Sequence, residues 1–292
     1  MPVQLSHHKV TGTQNLGLVR DSLAMLDQAR ASARASDQDV IADQYPYTAG
    51  STTIVTLLPA WVLEGSNEKM LARLEDQPTL DHHRFDIKNP PDGGREFNPA
   101  NILISFVPAG PNKKYEGLRL TAIAAQRGQS PRDVLLDLVR AELGGVQMIG
   151  FNIAVEDMLR VMRHQEVAVA SDGWTLSPES GGKPHPRCYG TYARVLGKYV
   201  REDHVLGLKE AVRKMTLLPA WRLGRSDMGL IRPGYAANLV VFDPLWVAER
   251  ATFEEPHQYY QGVEHVLVNG QLVIESGEDT GAAAGRVLKR SR

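Results

Sequence analysis

The chain has 292 residues, 42% of them hydrophobic and 23% charged, with a formal net charge of −1. That length suits one large domain or two modest ones, and the near-neutral balance provides no general field for nucleic acid or an anionic membrane. The single cysteine, Cys188, excludes an internal disulfide framework and fits a reducing compartment.

Val3 and Leu5 alternate with polar residues and lead into Ser6-His7-His8-Lys9, a short strand ending in a polar cluster. Leu16, Val19, Leu23 and Leu26 recur at helical spacing and predict an amphipathic helix running to about Arg34. Asp39 to Tyr45 then reads as a buried strand, so the order is strand, helix, strand, the pattern of a parallel βαβ unit. The stretch from about 59 to 115 is irregular and proline-rich. It is expected to be an insertion or lid carrying one short strand at Ile102–Ser105. Helical patterning returns over Leu118–Arg127 and from Pro131 to about Leu143, with Ser130 as N-cap and Pro131 in the first turn.

Val146–Phe151 is strand-like, and a helical stripe follows at Val155, Met158, Leu159 and Met162. Val167–Ala170 is another buried strand, delivering Ser171-Asp172-Gly173. Leu208, Ala211, Val212 and Met215 give a further helix, stopped near Pro219. The remainder changes character. Leu239–Phe242 is a strand, and Val263–Val268 with Gln271–Ile274 flank Asn269-Gly270, the signature of a hairpin with a type I′ turn.

Active sites of α/β proteins lie beyond the carboxyl ends of their parallel strands. Three polar clusters fall at such ends: Ser6 to Lys9, Asp43 to Ser51, and Ser171 to Gly173. Each is weak alone. Adjacent histidines on a strand point to opposite faces, so only one of His7 and His8 can face a site. Asp-Gly is common turn chemistry, and Arg187 after a glycine-rich loop reads equally as a surface residue. His82-His83 and Cys188 are read as structural or incidental, and His164 as a partner for the end of its helix.

Together the clusters are more specific. Ser6-His7-His8-Lys9, Asp43-Gln-Tyr45-Pro-Tyr47-Thr-Ala-Gly-Ser51, Ser171-Asp172-Gly173 and His185-Pro-Arg187 resemble the D-aminoacylase (N-acyl-D-amino-acid deacylase) branch of the amidohydrolase superfamily. The resemblance continues through Tyr189-Gly-Thr191, Glu210 to Thr216 and Arg232 to Pro244, and so covers essentially the whole chain. It implies an α/β fold: the last strands of a (β/α)8 barrel over residues 1–225, with the insertion at about 59–115, then part of a small β-sandwich over 226–292.

The resemblance also implies roles. His7 corresponds to a metal-binding histidine and Asp172 to the catalytic, metal-contacting aspartate. Lys9, Tyr45, Ser51 and Arg187 correspond to residues that hold the substrate, largely through its carboxylate. The family chemistry hydrolyses an N-acyl-D-amino acid with a zinc-activated water, Asp172 serving as general base and then acid. The family's His-X-His pair and its cysteine ligand fall before the Ser-His-His-Lys segment, and neither has a counterpart here. His7 and Asp172 do not reach the three protein ligands typical of catalytic zinc. The isolated chain is therefore expected to bind zinc poorly and to be weakly active or inactive. Its partners would be the small-molecule substrate, with no nucleic acid or membrane, and either the remaining half of the enzyme or further copies of itself. Two other readings stand beside this one: a cyclic amidohydrolase of the hydantoinase or dihydroorotase kind, and a non-catalytic assembly partner. A cytoplasmic location is expected from the cysteine usage, the absence of a membrane-length apolar run, and a first segment without signal-peptide organisation.

Overall fold

A computed structural model describes residues 3–34, 39–76 and 97–289. The chain opens with the expected βαβ unit: β1 (Val3–Leu5), α1 (Val19–Arg34) and β2 (Val40–Gln44), the two strands pairing in parallel. Helix α1 starts later than its apolar pattern suggests, and Leu16 and Leu18 ahead of it are exposed. Val19, Leu23 and Leu26 pack one face of α1 onto Ala42 of β2. Arg30 on the same helix is buried and bridges Asp39 at 3.2 Å and Glu166 at 3.1 Å, so its charge is paired where it is desolvated.

The chain then leaves this sheet for a layer of its own. β3 (Gly50–Thr53), α2 (Ala60–Leu63), α3 (Asn67–Glu75), β4 (Ile102–Phe106), α4 (Leu120–Arg127), α5 (Pro131–Ala141) and β5 (Gln147–Gly150) follow in order. β3, β5 and β4 form an antiparallel sheet with β5 in the centre. The strand read at 146–151 forms as β5, at the centre of this antiparallel sheet. The layer's apolar residues from Ile54 to Met148 form a core separate from that of the parallel strands. Ser130 caps α5, accepting from the Asp133 N–H at 3.1 Å, with Pro131 in the first turn, as read from the sequence. His82 and His83 lie outside the described residues.

The chain returns through α6 (Val155–Arg163) to β6 (Val167–Val169), which adds in parallel to β2. Among the described residues the parallel sheet thus runs β1-β2-β6, with β1 and β6 at its margins. All three residues of β1 are exposed. In this register the carbonyl of Val167 faces away from β2, because the Glu166 carbonyl takes the Ala42 N–H and the Gln44 carbonyl takes the Ala170 N–H. Fully buried Lys214 donates to that outward Val167 carbonyl at 2.8 Å and to the carbonyl of His164.

Helix α7 (Arg187–Arg194) runs on as π-helix over Val195–Glu202, followed by α8 (Leu208–Met215) and α9 (Leu217–Arg222). α9 contains Pro219, so the expected stop becomes the first turn of a second helix. The last strands, β7 (Leu239–Phe242), β8 (Val263–Val268), β9 (Gln271–Glu275) and β10 (Glu278–Asp279), form one antiparallel sheet in the order β10-β9-β8-β7. Asn269 and Gly270 between β8 and β9 both have positive φ, 51° and 82°, as a type I′ turn requires. The whole is an α/β fold with one parallel and two antiparallel sheets among the described residues. None of the described helices is long and apolar enough to cross a membrane.

Candidate active site at the carboxyl ends of the parallel strands

The three parallel strands deliver their polar clusters to one end of the sheet. His7 follows β1, Tyr45 follows β2, and Asp172 follows β6. His7 and Asp172 both have left-handed backbone, with φ of 43° and 48°. Positive φ is uncommon outside glycine, although aspartate and histidine take it more often than most residues.

Tyr45 is the centre of the group. It is buried, and its ring receives two cations, the Arg187 guanidinium at 4.7 Å and the Lys9 ammonium at 5.2 Å from its centroid. Lys9 Nζ also lies 2.9 Å from both the carbonyl oxygen and Nδ1 of His7. Arg187, itself buried, pairs with Asp172 through Nη1 and Oδ2 at 2.9 Å. Lys9, His7, Tyr45, Arg187 and Asp172 are therefore linked by direct contacts. Ser51 stands on β3, and its neighbour Gly50 approaches the Tyr45 hydroxyl closely enough that a Cβ there would lie 3.1 Å from it. His8 turns the other way, with Nε2 3.1 Å from Ser22 Oγ on α1, and of the pair it is His7 that contacts Lys9.

The Asp172–Arg187 pair is set by close backbone packing. A Cβ on Gly173 would stand 2.9 Å from Cys188 Cα and 3.0 Å from the Arg187 carbonyl oxygen. Only glycine lets this loop lie against the start of α7. Cys188 is half-buried, and burial raises its thiol pKa, which suits an inert structural cysteine.

Spacing in the sequence does not disclose the support beneath these residues. His185 is buried, with Nε2 3.0 Å from the Ala49 carbonyl and Nδ1 accepting the Arg187 backbone N–H at 3.1 Å. Both ring nitrogens are thus used by the neutral tautomer, and burial, then the neighbouring Arg187 charge, lowers its pKa to about 3. Beside it, Arg194 Nη1 pairs with Glu249 at 2.6 Å, Arg194 Nε donates to the Pro46 carbonyl at 2.9 Å, and the Tyr47 hydroxyl donates to Glu249. These bonds fasten the Tyr45–Ala49 loop to α7 and to the segment after β7. An open depression of about 460 Å³ runs along β1 past Leu5, His7, Lys9 and Thr11.

The donor chemistry of His7 and Asp172 suits zinc, but the number does not. Catalytic zinc typically takes three protein ligands, and among the described residues no group of three His, Cys, Asp or Glu side chains gathers.

Histidine, lysine and aspartate thus gather with a buried arginine at one end of the parallel strands. The Amidohydrolase family model matches residues 144–274. The chain is 35% identical over 291 residues to D-aminoacylase of Alcaligenes xylosoxydans xylosoxydans, a match covering 100% of this chain and 49% of that protein. A crystal structure of D-aminoacylase, described as defining a novel subset of amidohydrolases, aligns with a TM-score of 0.73 at 35% identity over 99% of this chain and 50% of that one. N-acyl-D-glutamate deacylase from Bordetella bronchiseptica, solved with zinc and a phosphonate mimic of the tetrahedral intermediate, aligns with a TM-score of 0.72 at 30% identity, over 99% of this chain and 49% of that one. The chain belongs to the D-aminoacylase family of amidohydrolases and matches the C-terminal half of its full-length members. It spans about half the length of the curated relatives it matches.

Proposed function

We propose that this chain carries the carboxylate-binding and proton-transfer part of an enzyme that hydrolyses N-acyl-D-amino acids to a carboxylic acid and a D-amino acid. The observation that carries the reading is the contact chain Lys9–Tyr45–Arg187–Asp172. Lys9 and Arg187 would take the substrate's α-carboxylate, the guanidinium by a forked pair of hydrogen bonds. Ser51 would add a hydroxyl from β3. Binding there would bring the scissile amide beside Asp172, whose carboxylate is 38% exposed and within reach of water. Asp172 would accept a proton from the attacking water as its oxygen bonds to the acyl carbon. It would return that proton to the amide nitrogen as the C–N bond breaks.

His7 and Asp172 are the residues of this chain that would hold zinc, with further ligands supplied from outside the described residues. Bound zinc would polarise the acyl carbonyl and lower the pKa of the water. On this reading β1, β2 and β6 are the last strands of a (β/α)8 barrel, and β7 to β10 are part of a β-sandwich. Residues 1–225 and 226–292 are the two regions, and the protein works in the cytoplasm. The donor count favours a second reading for the chain by itself, an assembly partner without activity.

The test is turnover and light scattering, with the 292-residue chain alone and co-expressed with a polypeptide equivalent to the N-terminal half of D-aminoacylase. The chain alone is expected to self-associate and to leave N-acetyl-D-methionine intact. The co-expressed pair is expected to form a soluble complex that cleaves N-acetyl-D-methionine but neither its L-enantiomer nor hydantoin. Hydantoin cleavage without deacylation would move the assignment to the cyclic amidohydrolases. A compact monomer with full deacylase turnover would remove the need for a partner.

A further inference from the structure

A carboxylate inside a buried strand is costly unless its oxygens are bonded, and Asp43, in the middle strand β2, is 8% exposed. It has no place in the chemistry above. Its bonds all go to β1 and the turn that follows it. Oδ1 accepts the backbone N–H of His7 at 2.7 Å, and the Asp43 carbonyl accepts the next N–H, that of His8, also at 2.7 Å. Oδ2 accepts from the Gln4 side-chain amide, whose oxygen in turn accepts from Arg222 Nε at 3.0 Å on α9. One residue of β2 therefore clamps two successive N–H groups at the turn after β1, at the point where His7 takes left-handed backbone.

The left-handed region is unfavourable for histidine, so without the clamp residue 7 would relax toward ordinary extended or helical backbone. That relaxation would swing the imidazole away from the site end of the sheet. It would also separate Nδ1 and the carbonyl oxygen of His7 from Lys9 Nζ, which contacts both at 2.9 Å. We infer that Asp43 is a positioning residue, whose carboxylate fixes the left-handed turn at His7 and thereby aims the imidazole and Lys9 into the site. The inference rests on the deacylase reading only for what His7 and Lys9 then do.

The test uses protein selectively labelled with [15N]histidine, in the soluble complex or in the chain alone where that is monomeric. The chain has nine histidines, and His7→Gln identifies the His7 ring signals by their loss. Asp43→Ala should shift or split the His7 signals and leave those of His164 and His257 in place. Asp43→Asn keeps an oxygen for the His7 N–H and should restore the wild-type His7 positions. A merely structural carboxylate would not be rescued selectively at one histidine. Should Asp43→Ala fail to fold, Asp43→Val, which suits a buried strand and likewise offers the His7 N–H no acceptor, takes its place with the same readout. Unmoved His7 signals in a folded Asp43→Ala or Asp43→Val protein overturn the inference, as does equal disturbance by Asp43→Asn and Asp43→Ala. None of these outcomes depends on deacylase turnover, so a failure of the proposed activity is distinguishable from a failure of the clamp.

Discussion

Acidification should loosen this protein through His185. The folded state holds its imidazole neutral, with one nitrogen bonded to the Ala49 carbonyl and the other accepting the Arg187 N–H. Protonation would turn that acceptor into a donor facing another donor. Its pKa is lowered to about 3 in the fold, against an ordinary value of 6.5 when unfolded. Between those values the unfolded chain binds a proton that the folded chain does not. Stability contributed here is therefore complete above pH 6.5 and lost as pH falls toward 3. The slope is about 1.4 kcal/mol per pH unit, or about 2 kcal/mol between pH 8 and pH 5. The assay is denaturant unfolding at pH 8, 6.5 and 5, comparing wild type with His185→Gln, which cannot titrate in this range. Subtracting the variant's slope removes the contribution of the other titrating groups. Equal pH dependence in the two proteins would refute the reasoning.

Two further outcomes follow from the geometry at Asp172. In the active complex, Asp172→Asn keeps the side chain's shape but cannot carry the proton, so kcat should fall on the order of 10²–10⁴-fold while substrate binding is largely spared. Near-normal kcat would place the general base elsewhere. Gly173→Ala puts a methyl group against the backbone of Arg187 and Cys188, and should cost about 1–3 kcal/mol by overpacking and lower turnover by separating Asp172 from Arg187. Unfolding midpoints and turnover both unchanged in that variant would show that the loop accommodates a side chain.

Features governed by local periodicity were readable from the residues themselves. The stripe Val19, Leu23, Leu26 buries as its spacing requires, Ser130-Pro131 starts a helix, and Asn269-Gly270 turns a hairpin. Strand β3 escaped because Gly-Ser-Thr-Thr has no apolar alternation. It becomes a strand by pairing with β5, which is distant in sequence. Helix α7 and its π-helical continuation escaped for a related reason. Gly190 and Gly197 interrupt the pattern, and the helix is held instead by tertiary bonds such as Arg194 to Glu249. At the site, the strand-end clusters were visible, and the structure joins Lys9, His7, Tyr45, Arg187 and Asp172 by contact. The supports were not visible. His185 reaches back to Ala49, and Asp43 reaches across to His7, through bonds that no spacing rule encodes.

The buried ammonium of Lys214 makes the two margins of the parallel sheet unequal. At β6 the first outward-facing carbonyl, that of Val167, is already occupied by a side chain of the same chain. A visiting strand would have to displace a fully buried lysine to begin its ladder there. Among the described residues β1 has no such guard: its own residues are exposed, and the outward-facing backbone of Gln4 borders the open depression. Among the described residues the unguarded margin of the parallel sheet is therefore β1, the strand that leads to His7 and Lys9.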